Sequence, residues 1–309
     1  MNRIFTRKIL ITSILLPVML LTAAFFSGCD KFEGSQTVPS YIHVDTLNFA
    51  TEYYLQGTPV QKFVDVWVYV DDDLIGAWQM PATIPILSEG IHKLSLMPGV
   101  LVNGMTGIRA YYPCVVPIIK SDFEFVPDSI ITVTGTSHYY DNASFVWMED
   151  FEDGSLSIHP TTASDTGIYR TQPANAPGAY LDENSQFSGI SYLDKTRDYL
   201  ELVSDDGNGE GFYIDRGDYA IMEIQYKTDV PITVGMYITT QDLTVEDRSY
   251  IGLNPTDTWK KVYINFTPVV NESTSALDFK IYLQAGLGNT LSSAQVMLDN
   301  IKFVTRPNQ

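Results

Sequence analysis

Hydrophobic positions recur at every second residue along most of this chain, the period of a strand with one buried face. Ala220, Met222, Ile224 and Tyr226 share one such face, and Ile232, Val234, Met236 and Ile238 share another. Val262, Ile264 and Phe266 follow, then Leu277, Phe279, Ile281 and Leu283. Val296, Leu298, Ile301 and Phe303 close the series, with a bulge expected between Asp299 and Ile301. Phe145–Phe151 reads as an opening strand that should lie beside this last one. Long alternating runs with one apolar side are satisfied by two antiparallel sheets packed face to face. Residues 144–305 are therefore expected to form one β-sandwich.

The same period governs residues 40–136. Ile42 and Val44 begin a strand, and Val64, Val66, Val68 and Val70 fall on one face of the next. Asp71-Asp72-Asp73 makes the turn of a hairpin whose second arm is Leu74–Met80, ended by Pro81 and Pro85. Ile91–Met97, Gly107–Tyr112 and Phe123–Thr134, broken at Pro127, supply further strands. No helix-period segment stands out, so this part is expected to be a second, smaller all-β sandwich. Residues 137–143 read as a linker.

The first 28 residues follow a different rule. Arg3, Arg7 and Lys8 precede an apolar run, Ile9–Phe26, and Ser27-Gly28 leads into Cys29. A charged start, an apolar middle and small residues at the cut describe a secretory signal. The Ser-Gly-Cys ending resembles a bacterial lipoprotein signal, with Phe26 where a smaller aliphatic residue is usual. The resemblance implies cleavage after residue 28, acylation of Cys29 and attachment to the outer membrane, with residues 29–39 as a tether. An uncleaved membrane anchor is the other reading of the run. Acidic Asp30 and Glu33 look like the surface-export signals of Bacteroidetes lipoproteins. Asp45-Thr46-Leu47 and Asp128-Ser129-Ile130 match the Asp-Ser/Thr-aliphatic pattern that such proteins use for O-glycosylation.

Charge and cysteine content narrow the partners. The chain carries 37 acidic and 19 basic residues, a net charge of −18. Such a surface repels phosphate backbones, so nucleic acid is excluded as a partner. Only Cys29 and Cys114 occur. With Cys29 acylated, Cys114 is expected as a buried free thiol. Gly-rich phosphate loops, H-E-x-x-H and the G-x-S-x-G elbow are missing, and the four histidines lie in dissimilar contexts. His92 is read as a structural strand residue. Glu149 with Glu152 could in principle serve glycoside cleavage, but paired acids mean little in a chain this acidic.

Val68–Gly99, with its strand, acidic turn, Ile-Gly and E-G-x-H-x-L strand, resembles the PEGA-type modules of bacterial envelope proteins. That implies an Ig-like or PEGA-like spacer or interaction domain. Phe151–Ser155 (FEDGS), Asp257–Val262 (DTWKKV) and Leu298–Phe303 (LDNIKF) together resemble the jelly-roll, galactose-binding-like carbohydrate-binding modules. That resemblance implies a jelly roll and a structural calcium held by Glu152 and Asp299, with Asp150 or Asp153 added. Solvated acids at strand ends are the alternative. D-x-N-x-E-G from Asp206 lacks a Glu at its twelfth position and reads as a hairpin turn. Opposite the apolar faces stand Glu223, Gln225, Tyr237, Tyr263, Asn265, Tyr282 and Gln284. Tyrosines flanked by amides and carboxylates could form a saccharide platform, because sugar faces stack on rings and hydroxyls need donors and acceptors. Trp259 is read as core. The expectation is thus an all-β, non-catalytic envelope lipoprotein that binds a glycan; the alternatives are a structural or protein-interaction component of an envelope assembly with no sugar bound, and a jelly-roll glycan-cleaving enzyme.

Overall fold

The computed structural model describes residues 38–205 and 208–308. The expected signal sequence, Cys29, most of the expected tether and Asp206 lie outside them. No helix among the described residues is long and apolar enough to cross a membrane.

The N-terminal half runs β1 (Ser40–Val44), β2 (Asn48–Ala50), the short helix α1 (Tyr53–Gln56), β3 (Asp65–Val70), β4 (Asp73–Gln79), β5 (Ala82–Ile86) and β6 (Gly90–Leu101). β7 (Arg109–Tyr111), β8 (Ile118–Phe125), β9 (Ile130–Thr132) and β10 (Thr136–His138) complete it. β3 pairs with β4 and β6, and β6 also bonds β7 and β8. A three-stranded sheet ordered β5-β1-β9 and the pair β10-β2 cover it. Asp71 and Asp72 take positive φ (50° and 71°) to make the expected hairpin turn. Pro85 does not end a strand. It lies within β5, an edge strand whose one free side tolerates a missing donor. Residues 137–143 are not a bare linker either: β10 pairs with β2, and Tyr139 is buried in the core. Cys114 is a buried free thiol, pushed up chiefly by desolvation.

The C-terminal half runs β11 (Ser144–Glu149), β12 (Ile158–Pro160), β13 (Tyr169–Thr171), β14 (Ser188–Asp194), β15 (Tyr199–Ser204), β16 (Tyr219–Thr228), β17 (Ile232–Thr240) and β18 (Val245–Leu253). β19 (Thr256–Asn265), the helix α2 (Thr267–Glu272), β20 (Ala276–Gly286) and β21 (Ser293–Arg306) follow. The front sheet is ordered β13-β14-β21-β16-β19, with β11 also on β21, and the back sheet β12-β15-β20-β17-β18. This is a jelly-roll sandwich. Its opening and closing strands do lie together, since Glu149 pairs with Ile301 and Ser144 with Thr305.

The bulge sits where the side-chain phase demanded it. Opposite β16, Glu223 faces Lys302 but Gln225 faces Asp299, so β21 holds one extra residue. Asn300 takes φ of 47° there. Val296 and Leu298 before the bulge and Ile301 and Phe303 after it consequently all face the sandwich core.

The outer side of the front sheet is covered by the N-terminal sandwich. Ile221, Tyr263 and Val304 belong to that sandwich's apolar cluster, with Tyr112, Tyr139 and Phe63. Each apolar side chain withdrawn from water here stabilises by roughly 1.5–3 kcal/mol. The halves are therefore joined through a shared core.

Candidate functional site

The seven residues expected to form a saccharide platform separate onto the two outer faces of the sandwich. Tyr237, Tyr282 and Gln284 stand on the back sheet, whereas Glu223, Gln225, Tyr263 and Asn265 stand on the front sheet. Alternation fixes which residues point outward from each strand but not which sheet a strand joins.

In the front-sheet set Glu223, Gln225 and Tyr263 are buried, whereas Asn265 is half-buried beside them. Glu223, 1% exposed, accepts hydrogen bonds from the hydroxyls of Tyr112 and Tyr139, each at 2.6 Å. Lys261 Nζ lies 2.6 Å from its other oxygen. Burial opposes ionisation of Glu223, but the charges of Lys261 and Lys302 outweigh it and hold the carboxyl at about 2. Lys302, 2% exposed, donates to the Thr58 carbonyl, and desolvation lowers it to about 7 against the pull of Glu223. Tyr263 Oη accepts from the Lys62 N–H at 2.9 Å. Gln225 accepts from Asn300, and the Asn265 N–H donates to the Asn103 side chain. Glu223, Gln225 and Tyr263 are thereby taken up in joining the two halves, and Asn265 lies at the edge of that contact.

On the back sheet the register builds a compact polar face. Glu201, Gln284 and Thr233 align across β15, β20 and β17, as do Val203, Tyr282 and Gly235. Tyr237 and Tyr282 rings lie 4.6 Å apart with planes tilted by 37°. A Cβ at Gly235 would stand 2.4 Å from the Tyr282 ring, so glycine is what lets that ring lie flat on the sheet. Tyr282 is fully buried and donates to Asp247 at 2.6 Å. Glu201 accepts from Thr161, Tyr199 and Gln284 at 2.7, 2.7 and 2.8 Å. Burial of Glu201 opposes its charge, but bonds from Thr161, Tyr199, Gln284 and Tyr237 outweigh it and lower its pKa. Desolvation and the Glu201 charge push the Tyr237 hydroxyl up to about 12, so it stays a donor. The half-buried Tyr199, Tyr237 and Gln284 are the part a ligand could touch, over a floor fixed by Tyr282 and Glu201. Sequence reasoning missed Tyr199 and Glu201, although Y-L-E-L-V-S alternates in the way the other strands do.

The acidic residues expected to hold calcium converge at the end of β11 and the bulge of β21. Glu152 accepts from the N–H groups of Gln186 and Phe187 at 2.7 and 2.8 Å, and Asp299 accepts from Ser185 Oγ at 2.8 Å. Both carboxylates thus pin one turn, Ser185–Phe187. Asp150 accepts from the Glu152 N–H and from Tyr53, and Asp153 from the Ser155 N–H. Arg170, stacked 3.3 Å over the Phe187 ring, donates to the Phe151 and Glu152 carbonyls at 2.6 Å. Its guanidinium takes carbonyl oxygens that a hard cation would need. Asp299, fully buried, is raised well above the carboxylate range by desolvation, with Glu152 and Asp150 adding repulsion. Among the described residues no three His, Cys, Asp or Glu side chains are placed to hold a metal. The set suits a divalent ion in charge and not in geometry. A pocket of about 280 Å³ opens beside it, lined by Tyr53, Tyr54, Asp150 and Lys302.

Other singled-out residues have simple surroundings. His92 bonds Asp71 at 2.5 Å and the Glu89 carbonyl at 3.0 Å, tying the hairpin turn. Trp259 is not in the sandwich core. Half-buried on the outer side, it donates to the Gly178 carbonyl at 2.8 Å and meets Tyr180 edge-on. Thr46 is exposed, whereas the Ser129 hydroxyl is half-buried and donates to the Val126 carbonyl.

The sequence matches no protein-family model and no curated protein. Among solved structures, similarity is found to the CBM22-1 xylan-binding domain of Paenibacillus barcinonensis Xyn10C, at 10% identity and a TM-score of 0.40, over 55% of this chain and 99% of that one. TmCBM61 in complex with β-1,4-galactotriose is matched at 13% identity and a TM-score of 0.32, over 51% and 94%. A Stig cyclase, Fisc, from Fischerella sp. TAU is matched at 13% identity and 0.35, over 54% and 100%. These scores are too low to carry function, and the jelly-roll assignment stands on the strand order.

Proposed function

We propose that this chain is a non-catalytic, glycan-binding lipoprotein of the cell envelope, anchored through Cys29 and presenting its jelly roll outward. The back-sheet face carries the reading. Tyr199 and Tyr237 offer rings, and the Gln284 amide offers a donor and an acceptor, on a floor that Glu201 and Tyr282 organise before any ligand arrives. Preorganised aromatic and amide groups lower the entropic cost of holding a saccharide. A glycan array probed with the full chain tests this. Binding that Tyr237→Ala abolishes is expected, and a blank array refutes it. Release of product from any bound glycan would instead indicate a cleaving enzyme.

A protein-interaction role is favoured by one observation. Leu74, Tyr69, Ser95 and Ile119 form a row across β4, β3, β6 and β8, with Leu74 and Ile119 about half exposed. Such a row suits an envelope partner. Acylation is tested by palmitate labelling, which Cys29→Ser should abolish. Intact mass of the mature protein tests glycosylation at Thr46, the more accessible of the two acceptor positions.

For the acidic knot we propose that the Arg170 guanidinium on the Phe151 and Glu152 carbonyls, rather than bound calcium, holds the two strand ends together. A melting temperature indifferent to chelator is expected, and a fall on chelation restores the calcium reading.

A further inference from the structure

A cleft of about 660 Å³ runs along the edge strand β19, where the loop 101–106 of the N-terminal half meets β18 and β19. Its roof is fixed rather than loose. The Asn103 N–H donates to the Tyr263 carbonyl at 2.8 Å, Val102 bridges to Tyr263, and the Asn265 N–H donates to Asn103 at 2.9 Å. Asn103 and Gly104 take φ of 57° and 68° to turn the loop back over the strand. The indole of Trp259 forms part of the wall, held by its bond to Gly178 and its contact with Tyr180.

The electrostatics of this cleft contradict those of the rest of the molecule. Lys62, Lys260 and Lys261 line it, and no Asp or Glu does, in a chain of net charge −18. Lys261 is paired inward with Glu223, but neither Lys62 nor Lys260 has a carboxylate partner among the described residues. Most other cations in the described residues are paired with carboxylates or donate to carbonyls. Two unpaired ammonium groups at one preformed, aromatic-walled cleft are complementary to an anion borne on a small ring-containing ligand.

The geometry points to this cleft as a second binding site, one that takes an acidic saccharide bearing carboxylate or sulfate groups. The choice of a saccharide rests on the glycan-binding reading, but the residues are separate from the back-sheet face. Lys62 and Lys260 meet the anionic groups, Trp259 offers its ring to a sugar face, and Asn254 and Thr258 stand at the rim to meet hydroxyls.

Native affinity electrophoresis of the full chain through polygalacturonate, dextran sulfate and neutral dextran tests the assignment. Retardation by at least one of the two anionic polymers is expected, the pair separating carboxylate from sulfate recognition. Lys62→Glu/Lys260→Glu should weaken it about tenfold or more, and Tyr237→Ala should leave it intact. Lys120→Glu/Lys195→Glu, which changes net charge equally at two other exposed lysines, should also leave it intact. No retardation on either anionic polymer overturns the site. So does retardation that survives the cleft reversal, or that the control reversal removes equally. Loss of array binding in Tyr237→Ala with anionic retardation kept would show that the two sites are independent.

Discussion

Glu223→Gln is the most informative single change, because it keeps the shape of the interface and removes only its negative charge. Two gauges give its cost. Removing one member of a buried ion pair typically costs about 3–5 kcal/mol. Independently, a carboxyl held at about 2 rather than at its ordinary 4.5 contributes about 3 kcal/mol at neutral pH. Lys302, already lowered to about 7, can shed its proton when Glu223 is neutralised, which favours the lower figure. The loss should be near 3 kcal/mol in urea unfolding at pH 7. Trp67 and Trp78 report on the N-terminal half, and Trp147 and Trp259 on the jelly roll. Both pairs should shift together, because the halves share a core. The folded pKa of Glu223 is depressed, so its contribution is full above about 4.5 and lost as pH falls towards 2. The gap between wild type and variant should therefore shrink between pH 4.5 and 2. A loss under about 1 kcal/mol, or a gap unchanged with pH, refutes the account of this interface.

Three further outcomes follow from the same reasoning. Asp299→Asn should raise the melting temperature, because a raised carboxylate pKa means that stability is present below the unfolded value and lost as pH climbs through the folded one; a lower melting temperature would contradict this. Gly235→Ala should cost about 1–3 kcal/mol and abolish array binding, since its Cβ would meet the Tyr282 ring and the Arg248 carbonyl. Cys114 should react with a thiol reagent only after urea unfolding; rapid labelling of the native chain would argue against its burial.

The strands with the cleanest alternation were legible in advance, and so was the β21 bulge, because only a phase slip lets Leu298 and Ile301 share one face. Short strands such as β2, β10 and β13 were not, since three residues hold too little periodicity to register. The site was half legible. Tyr237, Tyr282 and Gln284 were identifiable as outward-pointing residues. Nothing in a strand's own sequence, however, says whether its outward face meets water or another domain. Glu223 and Tyr263 look like surface residues locally and are buried only because Tyr112 and Tyr139 come from over eighty positions away to meet them. Arg170 gave no sequence signal at all, because its role depends on two carbonyls that the turn after β11 presents.

β21 bonds β11, β14 and β16, and it is the last strand of its sheet to be made. Until it leaves the ribosome, β11, the earliest jelly-roll strand, has no neighbour to hold it. A nascent chain in that condition keeps its front sheet open until its last strand is in place. Completion of the shell is thereby deferred to the release of the whole chain.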